Sequence, residues 1–192
     1  MRYNYSIKQI EVKRMALIVE DGSVVPNADS FQTLADARTT AANIGLTLPV
    51  DDTEAEVVLR QGYLNLLQRE RSLQGSRISA VQTGIYPRSS VLNNCFPVDP
   101  DVIPNEVKLA QLYASDAINS GAETNNVNTG EKLSGFNVQG VYSETYQDGS
   151  RQSTNPSIQG VYNSLYPLTK AGYQASPCGG GGGLYRENMG YL

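Results

Sequence analysis

The 192-residue chain contains no histidine and no tryptophan, and charged residues make up only 18% of it. Histidine is the commonest general base near neutral pH and the commonest zinc ligand, so its absence removes the most frequent form of both kinds of site. Neither the serines nor Cys95 has a histidine partner that could activate it. We therefore expect a protein that is not an enzyme, with no catalytic residue, no cofactor and no bound metal.

The two cysteines, Cys95 and Cys178, have no CxxC spacing that would indicate a metal knuckle, and one pair makes no disulfide framework. We interpret them as free thiols in a reducing compartment. No apolar run approaches the roughly 20 residues that a membrane span requires. The N-terminal stretch MRYNYSIKQIEVKR has basic residues without the apolar segment of a signal peptide. We expect no membrane partner.

Tyrosine is abundant where charge is sparse. The 12 tyrosines outnumber 3 phenylalanines, and tyrosine is enriched at the centres of protein interfaces. The net charge of −4 argues against a surface that contacts phosphate backbones everywhere, although a local basic face remains possible. Four carboxylates at the start of the second predicted helix could bind a hard cation, but negative charge at a helix start explains them better: Asp51, Asp52, Glu54 and Glu56.

The hydrophobic periodicity predicts a mainly α fold, followed by a β-hairpin or extended arm and a long flexible C-terminal tail. The first helix should start with Thr33 as its N-cap, in a capping box with Asp36, and end at Gly45. Further helices are predicted at 53–71, at 104–121 and, between two prolines, at 156–167.

From Leu133 onward the pattern changes to period two, which favours a hairpin with Asp148-Gly149 as its turn. The phrase VQGVYSETY at 138–146 resembles IQGVYNSLY at 158–166. Two copies are too few for a repeat architecture, so coincidence or similar docking chemistry explains the likeness.

The composition divides the chain into four parts: an N-terminal extension at 1–14, a helical core at 15–125, an arm with a short helix at 126–170, and a Gly-rich docking tail at 171–192. The pentaglycine in this tail is no phosphate loop, because neither Lys-Ser nor Lys-Thr follows it. We expect it to be a spacer for residues that dock on a partner, or on their own subunit: Leu184, Tyr185, Arg186, Met189, Tyr191 and Leu192.

Arginines cluster between residues 60 and 88, where only Glu70 opposes them. One face could meet DNA or an acidic partner, and a helix C-terminus that carries cations is an equally good explanation. Stacking aromatics are not interleaved among them, so single-stranded DNA is the less supported ligand. The candidate basic face consists of Arg60, Arg69, Arg71 and Arg77.

Four stretches carry a resemblance to a known family: MALIVEDG at 15–22, NADSF at 27–31, GSRISAVQTGIYPRSSV at 75–91 and IPNEVKLAQ at 103–111. Together they resemble the head–tail adaptor (connector) proteins of tailed bacteriophages, many of whose relatives carry automatic labels as DnaT-like single-stranded-DNA-binding proteins. Tyr86 stands where that family usually has tryptophan. We expect Gln82, Tyr86, Pro87 and Arg88 to form a loop brace, in which Arg88 presents its planar fork to a carboxylate or carbonyl group.

The resemblance implies that the core at 15–125 is a small helical bundle, with a β-hairpin or extended arm, in a structural virion protein. Copies would form a ring, commonly of twelve, beneath the portal. The ring would extend the DNA channel and offer a platform for the tail. Its partners would be the portal protein, neighbouring adaptor subunits, a downstream nozzle, fibre or stopper protein, and genomic double-stranded DNA that passes without sequence readout. It would be assembled in the host cytoplasm and would lie at the head–tail junction. The alternative is a single-stranded-DNA-binding protein, with salt-sensitive affinity for oligonucleotides.

Overall fold

The structure is a computed structural model, and it describes residues 16–122, 136–138, 142–144 and 156–176. Helices dominate this part of the chain, as predicted, and three two-stranded antiparallel sheets accompany them. Within these residues no helix is both long and apolar enough to cross a membrane. The N-terminal extension at 1–14 and the docking residues at 184–192 lie outside the described part.

The α-helices are α1 (Leu34–Ile44), α2 (Asp52–Leu67), α3 (Asn105–Asn119), α4 (Pro156–Leu165) and α5 (Lys170–Ala175). Single 3-10 turns occur at Glu70–Ser72 and Tyr166–Leu168. The strand pairs are β1 (Ser76–Arg77) with β2 (Arg88–Ser89), β3 (Val91–Asn93) with β4 (Phe96–Val98), and β5 (Phe136–Val138) with β6 (Tyr142–Glu144).

The predicted cap signals of α1 are confirmed. The Thr33 side chain accepts a hydrogen bond from the Asp36 amide, and Gly45 ends the helix in the left-handed region at φ 75°. Helix α2 begins with Asp51 as its N-cap, but it ends at Leu67 rather than at residue 71. Its last turn tightens into i→i−3 bonds, with Arg69 N donating to Leu66 O at 3.0 Å, and the chain continues as a 3-10 turn.

Two C-terminal predictions differ from the structure. Residues 170–175 form helix α5, so the predicted boundary between 170 and 171 falls inside a helix. Strand β5 pairs with β6, with Val138 opposite Tyr142. The predicted turn, Asp148-Gly149, comes after both strands and so does not connect them; it lies outside the described residues. Cys95 is disulfide-bonded, so its interpretation as a free thiol is wrong; Cys178 lies outside the described residues.

Helix α3 packs against α2 on one side and α4 on the other, and the main core lies around these contacts. Its buried members come from helices and loops alike: Phe31, Tyr63, Leu66, Leu73, Ile85, Tyr86, Val91, Ile103, Val107, Ala110, Ala114, Val161, Leu165 and Leu168. A buried amide joins this packing to the N-terminal loop, because Gln111 Oε1 accepts from Phe31 N at 3.0 Å and Gln111 Nε2 donates to Leu59 O at 3.0 Å.

Close approach of α2 to α3 depends on Gly62. A Cβ at this position would lie 2.8 Å from Gln111 O and would also clash with Ser115 Oγ. Because α4 packs against α3, the distance between α2 and α3 at Gly62 also affects where α4 lies relative to α2.

We predict that Gly62→Ala destabilises the protein by about 2 to 3 kcal/mol, because overpacking outweighs the roughly 1 kcal/mol that alanine gains in a helix. Gly45→Ala is the comparison: nothing lies within 4 Å of its added Cβ, so only left-handed strain remains, at about 1 kcal/mol. Chemical denaturation of both variants measures the difference. A Gly62→Ala protein as stable as the wild type would contradict the packing argument.

Candidate nucleic-acid interface

Two arginines of the predicted cluster, Arg77 and Arg88, contact the carboxylate of Glu70. Arg77 binds it in a bidentate fork, with Nε to Oε1 at 2.6 Å and Nη2 to Oε2 at 2.7 Å. Arg88 Nη1 also reaches Oε1, at 3.3 Å. The hydrogen bonds from Arg77, with the positive charges of Arg77 and Arg88, hold the pKa of Glu70 below its usual value. The same carboxylate raises the pKa of Arg77.

Arg88 is buried and crosslinks backbone segments. Its Nε donates to Gln74 O at 2.7 Å, its Nη2 to Gly75 O at 2.8 Å, and its Nη1 to Ile85 O at 3.3 Å. A planar guanidinium suits several acceptors in different directions, which an ammonium group cannot match.

The other three residues of the predicted brace are buried beside Arg88. Gln82 Nε2 donates to Gly84 O at 2.9 Å, and Tyr86 is fully buried at a cis bond to Pro87. Burial raises the pKa of the Tyr86 phenol. These side chains stabilise the loop from within, and none presents a polar group to a surface ligand.

The predicted basic face separates into two kinds of arginine. Arg60 binds Asp29 at 2.6 Å, and Arg77 binds Glu70, so carboxylates neutralise both. Arg38, outside the predicted face, is likewise paired with Asp52 at 2.9 Å. Among residues 16–122 and 156–176, no ion pair involves Arg69, Arg71 or Lys170.

One of these cations, Arg69, lies on an exposed aromatic ring, and a second exposed ring follows four residues later in the chain. The guanidinium of Arg69 lies over the ring of Tyr162, 4.3 Å from its centroid. Tyr162 is 55% exposed, and Tyr166, the first residue of the 3-10 turn after α4, is 50% exposed. Lys170 Nζ donates to Arg71 O at 3.0 Å, which brings it next to the 3-10 turn at 70–72. We call this the tyrosine–cation surface: Arg69, Arg71, Tyr162, Tyr166 and Lys170.

Hydrogen bonds between distant chain segments hold this surface together. Leu73 and Thr169 form an antiparallel bridge, and Gln74 N donates to Leu168 O at 3.0 Å. The Gln74 side chain donates to Pro167 O at 2.9 Å. The arginines that follow α2 therefore keep a fixed spacing from the tyrosines of α4 and of the 3-10 turn after it. Sequence reasoning missed the tyrosines because they lie far along the chain from the arginines.

A cleft of about 600 Å³ between the N-terminal loop and the start of α3 is the other concave region of note. Glu20, Asp21, Asp36 and Asp101 line it together with Lys108. This excess of carboxylates opposes a phosphate ligand. In the described residues no group of three or more Cys, Asp or Glu side chains could hold a metal ion.

Comparison with known proteins identifies the family. The model of the family described as "Putative DnaT-like ssDNA binding protein" matches residues 15–184. The match covers most of the chain, so the chain belongs to this family. The searches of the curated proteins and of the solved structures each found no match.

This match overturns the head–tail adaptor interpretation, since the matching family is the DnaT-like one and nothing supports an adaptor family. The expectations about function and partners that followed from it are wrong as well: a virion structural protein, a ring beneath the portal, tail partners, and double-stranded DNA that passes through a channel. Of the two functions considered, single-stranded DNA binding is the one favoured.

We predict that the pairing of Glu70 makes stability depend on pH below neutrality. A carboxyl group whose pKa is lower in the folded state stabilises the protein above its unfolded pKa, near 4.5, and loses that contribution as the pH falls through the folded value. Wild type should therefore exceed Glu70→Gln in stability at about pH 6, and the gap should shrink toward about pH 3. Urea denaturation across this range measures it. A gap that stays constant with pH would contradict the assignment.

Proposed function

We propose that this protein binds single-stranded DNA at the tyrosine–cation surface, without catalysis. The observation that carries the proposal is the stack of Arg69 on the exposed ring of Tyr162, beside the unpaired cations Arg71 and Lys170. Proteins that bind single strands without sequence preference combine basic grooves with aromatic platforms in this way. Membership of a DnaT-like family supports the same function.

The chemistry of the surface suits an unpaired strand better than a duplex. Tyr162 and Tyr166 offer ring faces, which only unstacked bases can use. Arg71 and Lys170 can meet the phosphates on either side. Every base has a π face and every nucleotide has a phosphate, so these contacts carry no sequence information.

The proposed contact is small, and this limits its strength. Three cations can neutralise about three phosphates, for which log K should fall with log salt at a slope of about −2.

We further propose that α2, α3 and α4 form a small helical bundle that holds the surface rigid.

We predict that Arg71→Glu and Lys170→Glu each weaken binding to a labelled oligo-dT by about tenfold or more at low salt, because a repulsive charge replaces a phosphate contact. Fluorescence anisotropy in a salt series gives the affinity and the slope. Lys108→Glu is the matched control, since it makes the same change of charge in the acidic cleft. Equal losses in all three variants would mean that net charge alone acts, and would refute this surface as the site.

We predict that Tyr162→Ala and Tyr166→Ala each cost about 1 to 3 kcal/mol of binding free energy, as expected for one lost base stack. Tyr162→Phe and Tyr166→Phe keep the ring face and should bind like the wild type. The same titration compares all four variants. If the phenylalanine variants lose as much as the alanine variants, the hydroxyl groups rather than the ring faces bind the DNA, and stacking is wrong.

A further inference from the structure

Glu70 lies between Arg69 and Arg71 in the sequence, so the segment that supplies two cations of the tyrosine–cation surface also carries a carboxylate. Such a carboxylate competes with DNA, because a guanidinium that forms an ion pair within the chain is not available to a phosphate. What happens to this negative charge therefore affects the surface directly.

In the structure, both oxygens of Glu70 are engaged on the side of the β1–β2 loop. Arg77 occupies Oε1 and Oε2 at 2.6 and 2.7 Å. Arg88 adds one contact of 3.3 Å to Oε1, but its other donors are committed to backbone carbonyls. Arg77 is thus the main partner of this carboxylate, and neither Arg69 nor Arg71 is paired with it.

We infer that Arg77 is a positioning residue for single-stranded DNA binding: it holds the Glu70 carboxylate in a bidentate pair, and so keeps Arg69 and Arg71 available for phosphate. The inference rests on the proposed function. Arg77 acts through Glu70 and does not contact the DNA. The lowered pKa of Glu70 agrees with a carboxylate that stays charged and paired.

The two substitutions Arg77→Met and Glu70→Gln test this as a cycle. Arg77→Met releases a negative charge beside the surface and should weaken oligo-dT binding about three- to tenfold at low salt, with a smaller effect at high salt. Glu70→Gln alone should bind as well as the wild type or better. The double variant has no carboxylate to release, so its affinity should return to within about twofold of the wild type.

The rescue is the decisive readout, because a residue that contacts DNA itself, or that only maintains the fold, would not be rescued by Glu70→Gln. A double variant as weak as Arg77→Met, or an Arg77→Met protein that binds like the wild type, overturns the inference while the proposed function stands. If the wild type does not bind oligo-dT at low salt, both fail.

Two controls complete the design. Arg38→Met breaks another arginine–carboxylate pair, that with Asp52 at 2.9 Å, and should change binding by less than about twofold. Thermal unfolding reports whether each variant folds. If Arg77→Met does not fold, Arg77→Lys replaces it: a lysine keeps the charge but cannot form the bidentate fork. It should weaken binding less than methionine would, with the same rescue by Glu70→Gln.

Discussion

The buried side chain of Gln74 is the contact on which the C-terminal part of the described fold depends. Its amide exchanges hydrogen bonds with the backbone of Leu92, with Nε2 to Leu92 O at 3.0 Å and Leu92 N to Oε1 at 3.1 Å, and it also donates to Pro167 O. The backbone carbonyl oxygen of Gln74 accepts from Arg88 Nε. This one residue thus connects strand β3, the turn after α4 and the arginine loop to the segment that follows the 3-10 turn at 70–72. An apolar residue here would leave several buried backbone groups unpaired, which costs more than the bonds themselves contribute.

Local signals in the sequence were sufficient for both ends of α1 and for the start of α4, although not for the end of α2 or for α5. Thr33, Gly45 and Pro156 specify ends by side-chain capping, left-handed backbone and a missing amide, which act within a few residues and can be read without the fold. The two similar phrases show where local information stops. In the first, Tyr142 lies in a strand, whereas in the second the equivalent Tyr162 lies in a helix. Flanking prolines and packing against α3, not the shared residues, determine the difference.

The candidate site was less accessible to sequence reasoning, because it depends on pairings across long distances. Whether an arginine is available depends on its carboxylate partner: Asp29 is 31 residues from Arg60, and the sequence does not indicate that they meet. The β-bridge between Leu73 and Thr169 brings the segment with the two tyrosines next to the segment with the arginines. Only the neighbourhood of Glu70 could have been suspected, since it is the one acidic residue among the clustered arginines.

The error about function has a physical origin as well. The motif residues Gln82, Tyr86, Pro87 and Arg88 are buried and bind within the loop, so they specify how this segment folds. Partners are recognised by exposed groups, and buried residues alone do not identify them.

A similar distinction applies to charge. The net charge of −4 describes the whole chain, yet what a strand of DNA meets is the local arrangement of unpaired groups. Because carboxylates neutralise Arg38, Arg60 and Arg77, the field near Tyr162 depends, within the described part of the chain, on cations that lack such a partner, Arg69 above all. An acidic protein can therefore carry a phosphate-binding surface, provided that its own carboxylates are kept engaged elsewhere. At the tyrosine–cation surface, the carboxylate in question is that of Glu70, and Arg77 is the residue that keeps it engaged.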